Sequence, residues 1–162
     1  KVRITRTADA VNVPAAISPQ VRIIGNITVT QPSQGERWVV NESNSIKWQR
    51  QGSIANVTLA YSTNSGANWT FISYASGGSG DTGVSWTVPN TPGIVSPTAM
   101  IRVSDTADYT VNDTSETFSI VPRFTMITPN ATQKCVVNRE TSITWDTLGY
   151  NSYVFLYYST NN

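Results

Sequence analysis

Apolar residues in this chain fall on alternate positions over short stretches. Ile46 and Trp48 do so within residues 45–49, and Val57, Leu59 and Tyr61 within 56–61. Val84, Trp86 and Val88 repeat the pattern, as do the pairs Ile101 with Val103 and Phe118 with Ile120. A period of two is a strand signature, because successive side chains leave a strand on opposite faces. Further short strands fit residues 27–31, 37–40 and 68–73. The breaks carry turn formers: Pro32, Gly35, Gly52, Asn64-Ser65-Gly66, Gly77-Gly78, Asn90 and Pro92. No stretch has a helical period of useful length. The pattern predicts an all-β chain with a core of Ile46, Trp48, Val57, Leu59, Tyr61, Trp86, Ile101, Val103, Phe118 and Trp145.

The pattern also recurs. Val39-Val40-Asn41-Glu42-Ser43-Asn44-Ser45-Ile46-Lys47-Trp48 returns as Val136-Val137-Asn138-Arg139-Glu140-Thr141-Ser142-Ile143-Thr144-Trp145, 97 residues on. Tyr61-Ser62-Thr63-Asn64 returns at the same offset as Tyr158-Ser159-Thr160-Asn161, and Pro32, Val57 and Leu59 fall on Pro129, Val154 and Leu156. At the other end, residues 2–9 resemble residues 101–108 at an offset of 99, and Val21-Arg22-Ile23 matches Phe118-Ser119-Ile120 at 97. The first copy thus has two extra residues in a loop, where insertion is cheap. The expected organisation is a tandem array: residues 1–25 are the last strands of one unit, 26–122 a complete unit, and 123–162 the first strands of the next. Seven or eight short strands in about 97 residues, with this turn spacing, predict an immunoglobulin-like two-sheet β-sandwich for each unit. The connection from Phe118 to Met126 has no Gly/Ser-rich spacer, which predicts a stiff rod rather than beads on a flexible string.

Composition narrows the chemistry. There is no His and one Cys, so His-based acid–base chemistry, a Ser-His-Asp triad, His metal ligation and an internal disulfide are all excluded. Only 13% of residues are charged and the net charge is +1, which argues against a nucleic-acid-binding face. Ser, Thr and Asn make up a third of the chain. This polar, weakly charged, β-prone surface predicts an extracellular or cell-surface protein. No apolar run approaches the roughly 18 residues of a membrane span.

The complete unit resembles a known family through a series of short motifs. It opens with Ile27-Thr28-Val29-Thr30-Gln31-Pro32, then Gly35-Glu36-Arg37-Trp38 and Ser45-Ile46-Lys47-Trp48. Tyr61-Ser62-Thr63-Asn64-Ser65-Gly66-Ala67-Asn68-Trp69, Ser85-Trp86-Thr87-Val88-Pro89, Ile101-Arg102-Val103-Ser104-Asp105 and Phe118-Ser119-Ile120 complete the series. The set is similar to the Ser/Thr-rich, immunoglobulin-like surface domains related to fungal cell-wall glucan-assembly proteins, which also occur in tandem in large secreted microbial proteins. The resemblance implies a secreted structural or adhesive module without catalysis.

Several residues are candidate sites. Residues 62–69 resemble the Asp-box hairpin Ser-x-Asp-x-Gly-x-x-Trp with Asn64 in place of Asp, and a turn-stitching role is the expected one. Asp105, Asp108 and Asp113 are candidate Ca²⁺ ligands, since that ion takes six to eight oxygens. Position 6, the counterpart of Asp105, is Arg, so turn-forming hydrogen bonds are the simpler reading. Asn26, Asn41, Asn56, Asn68, Asn112 and Asn130 each begin an Asn-x-Ser/Thr sequon and are candidate glycosylation sites. Trp38 and Trp69, with Tyr74, are candidates for a sugar-stacking platform, against which strand alternation favours packing. Cys135 aligns with Trp38 and is expected at a packing position, with an interchain disulfide as the rival. No catalytic residue and no cofactor are expected.

The expected function is that of a non-enzymatic repeat in a secreted or surface protein, forming a stalk, sheath or filament by end-to-end, strand-sharing stacking. Its partners would be neighbouring copies of the same repeat or chain, or cell-wall and surface glycans. The alternatives are a carbohydrate-binding adhesion module and an accessory domain of a large secreted hydrolase.

Overall fold

The computed structural model describes residues 1–4, 16–149 and 153–160. The proposed repeat residues 5–9 lie outside these, with 10–15, as do 150–152, 161 and 162. Nearly all regular structure is β. Residues Asn26–Gln31 (β3), Ser43–Gln51 (β5) and Val84–Thr87 (β8) form a three-stranded antiparallel sheet in the order β3-β5-β8. A six-stranded sheet runs Arg37–Val39 (β4), Phe118–Val121 (β11), Ser96–Asp105 (β9), Asn56–Ser62 (β6) and Thr70–Ser76 (β7), with Asn112–Thr114 (β10) also paired to β9. All pairings are antiparallel except β4 with β11.

The alternation of apolar residues explains why these segments are strands and which face each buries. In β6 Val57 and Leu59 are fully buried, as are Ile101 and Val103 on the neighbouring β9. Across from them, Ile46 and Trp48 of β5, Ile27 of β3 and Trp86 of β8 close the same cluster. The two sheets therefore share one core. Trp48 is the most deeply buried of its three tryptophans, at 1% exposure, and its indole N–H donates to the Gly77 carbonyl at 3.1 Å. The loop carrying Gly77 continues as a 3₁₀ turn, Gly77–Gly80, laid closely over β5. A Cβ on Gly80 would collide with the Trp48 carbonyl and indole, and one on Gly77 with the Ile54 carbonyl, so at these two positions the glycine is a matter of space. At one end of the core Trp38 meets Phe118 and Trp86 at ring-centroid distances of 4.5 and 5.9 Å, and Tyr61 meets Trp86 at 5.0 Å.

The chain crosses between the sheets early. After β3 and a cis Gln31–Pro32 bond, the Ser33–Glu36 turn delivers β4 to the opposite sheet. There β4 lies parallel to β11 in the register Arg37↔Ser119, Trp38↔Ile120 and Val39↔Val121. The chain consequently enters this body at its Gln51 end and leaves beside Val40, at the other end.

Two small sheets flank this body. Arg3–Ile4 (β1) pairs with Ala16–Ile17 (β2), and Arg123–Thr128 (β12) pairs with Thr144–Leu148 (β13). Their registers follow the sequence offsets. Val29↔Trp48 has its counterpart in Met126↔Trp145, and each of the other β3–β5 pairs likewise returns 97 residues on, with the same irregularity before the last pair. The left-handed residues Asn41 and Gly52 fall on left-handed Asn138 and Gly149. The pairs Arg3↔Ile17 and Ile4↔Ala16 correspond to Arg102↔Thr114 and Val103↔Asp113.

Three expectations need correction. The strand expected over 68–73 is β7, Thr70–Ser76, because Asn68 and Trp69 belong to the preceding turn. Tyr61 is half-buried, at the rim of the core. Trp145 is half-buried too, unlike its counterpart Trp48, because no second sheet covers β12 and β13 among the described residues.

Candidate functional site

The six sequon asparagines Asn26, Asn41, Asn56, Asn68, Asn112 and Asn130 are all exposed. Asn112 donates to the Tyr109 carbonyl at 2.9 Å and Asn130 accepts from the Thr132 backbone and hydroxyl, so these two side chains brace their own turns. The candidate calcium ligands are held apart by similar work. Asp105 accepts from the Ala107 N–H at 2.9 Å, and Asp113 accepts from the Val29 N–H at 2.7 Å. Asp108 accepts from the Thr110 hydroxyl and N–H and meets the Arg22 guanidinium at 2.7 Å. The Thr110 bonds, helped by Arg22 against some desolvation, hold the Asp108 carboxyl below its ordinary range. Among the described residues no group of three or more His, Cys, Asp or Glu converges on a point where a metal could sit.

Trp38 is not a sugar platform. It is 3% exposed, packed on Phe118 and Trp86, and its indole N–H donates to Glu36 at 2.9 Å. Glu36 also accepts from the Ser33 N–H and hydroxyl. Partial burial pushes its carboxyl up, but these three bonds outweigh that and hold it below the ordinary carboxylate range. Trp69 is half-buried, with Arg102 stacked over its ring at 4.4 Å, so that face is occupied. In the hairpin beside it the Ser62 hydroxyl accepts from the N–H groups of Asn64 and Gly66, and Asn64 accepts from the Asn68 N–H. Those residues stitch the turn. Tyr74 is exposed beside Phe71 on the edge strand β7, ring centroids 5.0 Å apart. Cys135 is exposed with a free thiol, so it does not occupy the packed position of Trp38.

Two features of the flanking segments stand out, and only the spacer-free connection in the first was read from the sequence. At the exit, β11 and β12 are separated by Pro122 alone. The following hairpin then leans back on the body. Leu148 packs against the core cluster, and the Gly149 N–H donates to Asn90 Oδ1 at 2.8 Å. A Cβ on Gly149, whose φ is +81°, would lie 2.9 Å from a Val95 methyl and 3.1 Å from one of Val40. An exposed Arg123–Glu42 pair at 3.7 Å adds little. The signal was present, since Gly149 is the counterpart of Gly52, but its partners Asn90 and Val95 carry no motif.

The second feature is an open apolar face. Phe124, Met126 and Trp145 on the β12–β13 hairpin, with Tyr153, Val154, Phe155 and Leu156, line a groove of about 580 Å³. A polar cleft of about 500 Å³ lies near the opposite end of the body, between Arg50, Asp81, Asn26 and the glycine turn. Arg50 there already donates to the Ile54 carbonyl at 2.8 Å. Comparisons with protein-family models, with curated proteins and with solved structures return no match. No helix among the described residues is long and apolar enough to cross a membrane.

Proposed function

We propose that this chain is a stretch of a tandem array of immunoglobulin-like sandwiches, and that its role is structural. Residues 26–122 form one complete unit, 1–25 the last strands of the unit before and 123–162 the first strands of the unit after. The observation that carries this is the recurrence of strand register at the offsets of the sequence repeat, from Val29↔Trp48 to Met126↔Trp145. The A-B-E and C′-C-F-G arrangement of strands in such sandwiches corresponds to β3-β5-β8 facing β7-β6-β9-β11. Each unit takes the chain in at one end and passes it on at the other, so units stack end to end. The one-residue connection at Pro122 and the Gly149–Asn90 bond support a fixed angle between neighbours. A stalk, sheath or filament in a secreted or surface protein is the role this suits, with the Ser/Thr/Asn-rich surface facing solvent.

Small-angle scattering from the 162-residue chain at dilution tests the reading. The expected curve is that of a single orientation of the β12–β13 hairpin on the body; free hinging about residue 122 would overturn it. A second reading, an adhesive module, is favoured by one observation, the exposed Phe71–Tyr74 pair. Binding on a glycan array that is lost in Tyr74→Ala, with the fold retained, would select it.

A further inference from the structure

The outer face of the six-stranded sheet holds an aromatic pair that a strand irregularity creates. In the β6–β7 ladder Leu59 faces Ser73 and Ala60 faces Phe71, so β7 carries one extra residue, Ile72, between these pairs. Residues 71 and 74 of a regular strand would leave on opposite faces. The bulge returns them to the same face. Ile72 and Ala75 pack against the core, which turns Phe71 and Tyr74 outward. Their rings lie 5.0 Å apart, tilted by 56°, and stand open at 54% and 69% exposure.

A cation shares this face. Across β6, Ala60 faces Arg102 of β9, so Phe71, Ala60 and Arg102 form one row, a short side chain between two long ones. The Arg102 guanidinium lies over Trp69 at 4.4 Å, which fixes its position. Among the described residues it enters no ion pair. The neighbouring rows are neutral: Tyr74 with Thr58, Ser104 and Asn112 on one side, Ser62 with Met100 on the other. At the outward strand positions of this sheet the charged residues are Arg102 and, on the far edge strand, Arg37, with no carboxylate among them.

We propose that this row binds a carboxylate-bearing saccharide, a uronic acid residue of an acidic glycan. An apolar face of the sugar ring rests on Phe71 and Tyr74, and its carboxylate meets the Arg102 guanidinium. That pairing can use two parallel N–H···O bonds. One cation among neutral groups suits one carboxylate per ring, not the dense charge of a sulfated chain. An acidic peptide would instead pair along the backbone of the edge strand, where the bulge interrupts the ladder. The site rests on the second, adhesive reading and adds to it a place and a ligand class.

The test is a titration of the 162-residue chain with an oligomer of galacturonic acid, followed by amide and indole NMR shifts. Saturable binding is expected, with the Trp69 indole among the resonances that move. Arg102→Gln should weaken it about tenfold or more, the effect of losing a charged hydrogen-bond partner. Arg102→Lys keeps the charge without the planar fork and should fall between the two. Phe71→Ala and Tyr74→Ala should each weaken binding about three- to tenfold. The methyl-esterified oligomer, with the same rings and no charge, should lose as much as Arg102→Gln does. That arm needs no substitution, so it decides even if Arg102→Gln fails to fold. No binding of the acid oligomer would overturn the proposal, as would equal binding of acid and ester, or of a glutamate oligomer of the same charge. A rise of mass with concentration that Tyr74→Ala removes would overturn it too, since the pair would then lie buried between copies. Equal, Tyr74-dependent binding of acid and ester removes the carboxylate assignment and leaves the adhesive reading. Absence of binding to every glycan on an array removes both.

Discussion

At the scale of single residues, identical side chains at counterpart positions have unequal roles, set by what covers them. Trp48 has a full second sheet above it, whereas Trp145 borders an open groove. Trp48→Ala should cost the body about 3–5 kcal/mol, the usual range for deleting a buried aromatic. Trp145→Ala should change the stability of the body by less than about 0.5 kcal/mol. Urea unfolding of the dilute chain, followed by circular dichroism, measures both. Glu36 supplies a pH dependence with a definite sign. Its folded-state pKa is depressed, so its contribution is fully present above the unfolded carboxylate value, about 4.3. That contribution is lost as pH falls through the lower folded value. Glu36→Gln should flatten the stability–pH curve in that acid window and leave its shape above pH 6 unaltered, as read from thermal midpoints. The aromatic residues show what a sequence conceals at this scale. Trp38, Trp69 and Tyr74 look alike as sugar platforms in the sequence. Burial, a stacked arginine and an edge position separate them in the structure.

At the scale of elements, periodicity of two located the strands well wherever one face is buried, as in β6 and β9. It failed for β10, Asn112–Thr114, which is polar throughout and held by its pairing to β9. Nor could it give the crossing of the chain from β3 to β4, since both strands alternate normally and the sheet change lies in the turn between them. The repeat offset, by contrast, carried tertiary information, because a bulge and a left-handed glycine recur with it. The Gly149 contact is where an element meets its neighbour, and it can be broken alone. Gly149→Val adds a β-branched side chain at a positive φ and against two valines. It should release the β12–β13 hairpin, making it the first site of limited proteolysis, while the thermal midpoint of the body moves by less than about 2 °C. Cleavage rates with and without the substitution give the answer.

At the scale of the molecule, the packed core lies in the middle of the chain and most exposed apolar residues lie in its flanks. The body closes its own core without a disulfide, and of its sheet edges β4 and β8 are short whereas β3 and β7 are longer. The flanks keep large apolar residues in the open, from Ile23 to Tyr157, with Leu148 packed on the core as a counter-example. The return of the β3–β5 register in β12–β13 was legible in the sequence as an offset of 97 residues. The order of strands was not, because the parallel β4–β11 pair and the edge positions of β7 and β8 depend on which strands are neighbours in the finished sheet.

The parallel pairing of β4 with β11 has a mechanical consequence. The chain arrives through β3, which leads into β4, and departs from β11, so tension along an array pulls these two strands in opposite directions along their own axes. The ladder between them, from the Gly35 N–H on the Thr117 carbonyl to the Val40 N–H on the Val121 carbonyl, would be loaded in shear. Its bonds share the force and must yield together, whereas a hairpin pulled open at one end parts bond by bond. Val40→Pro removes the last donor of that ladder. It should lower the unfolding force of the body in single-molecule pulling between residues 25 and 122 by more than it lowers the force for extraction across β6 and β7.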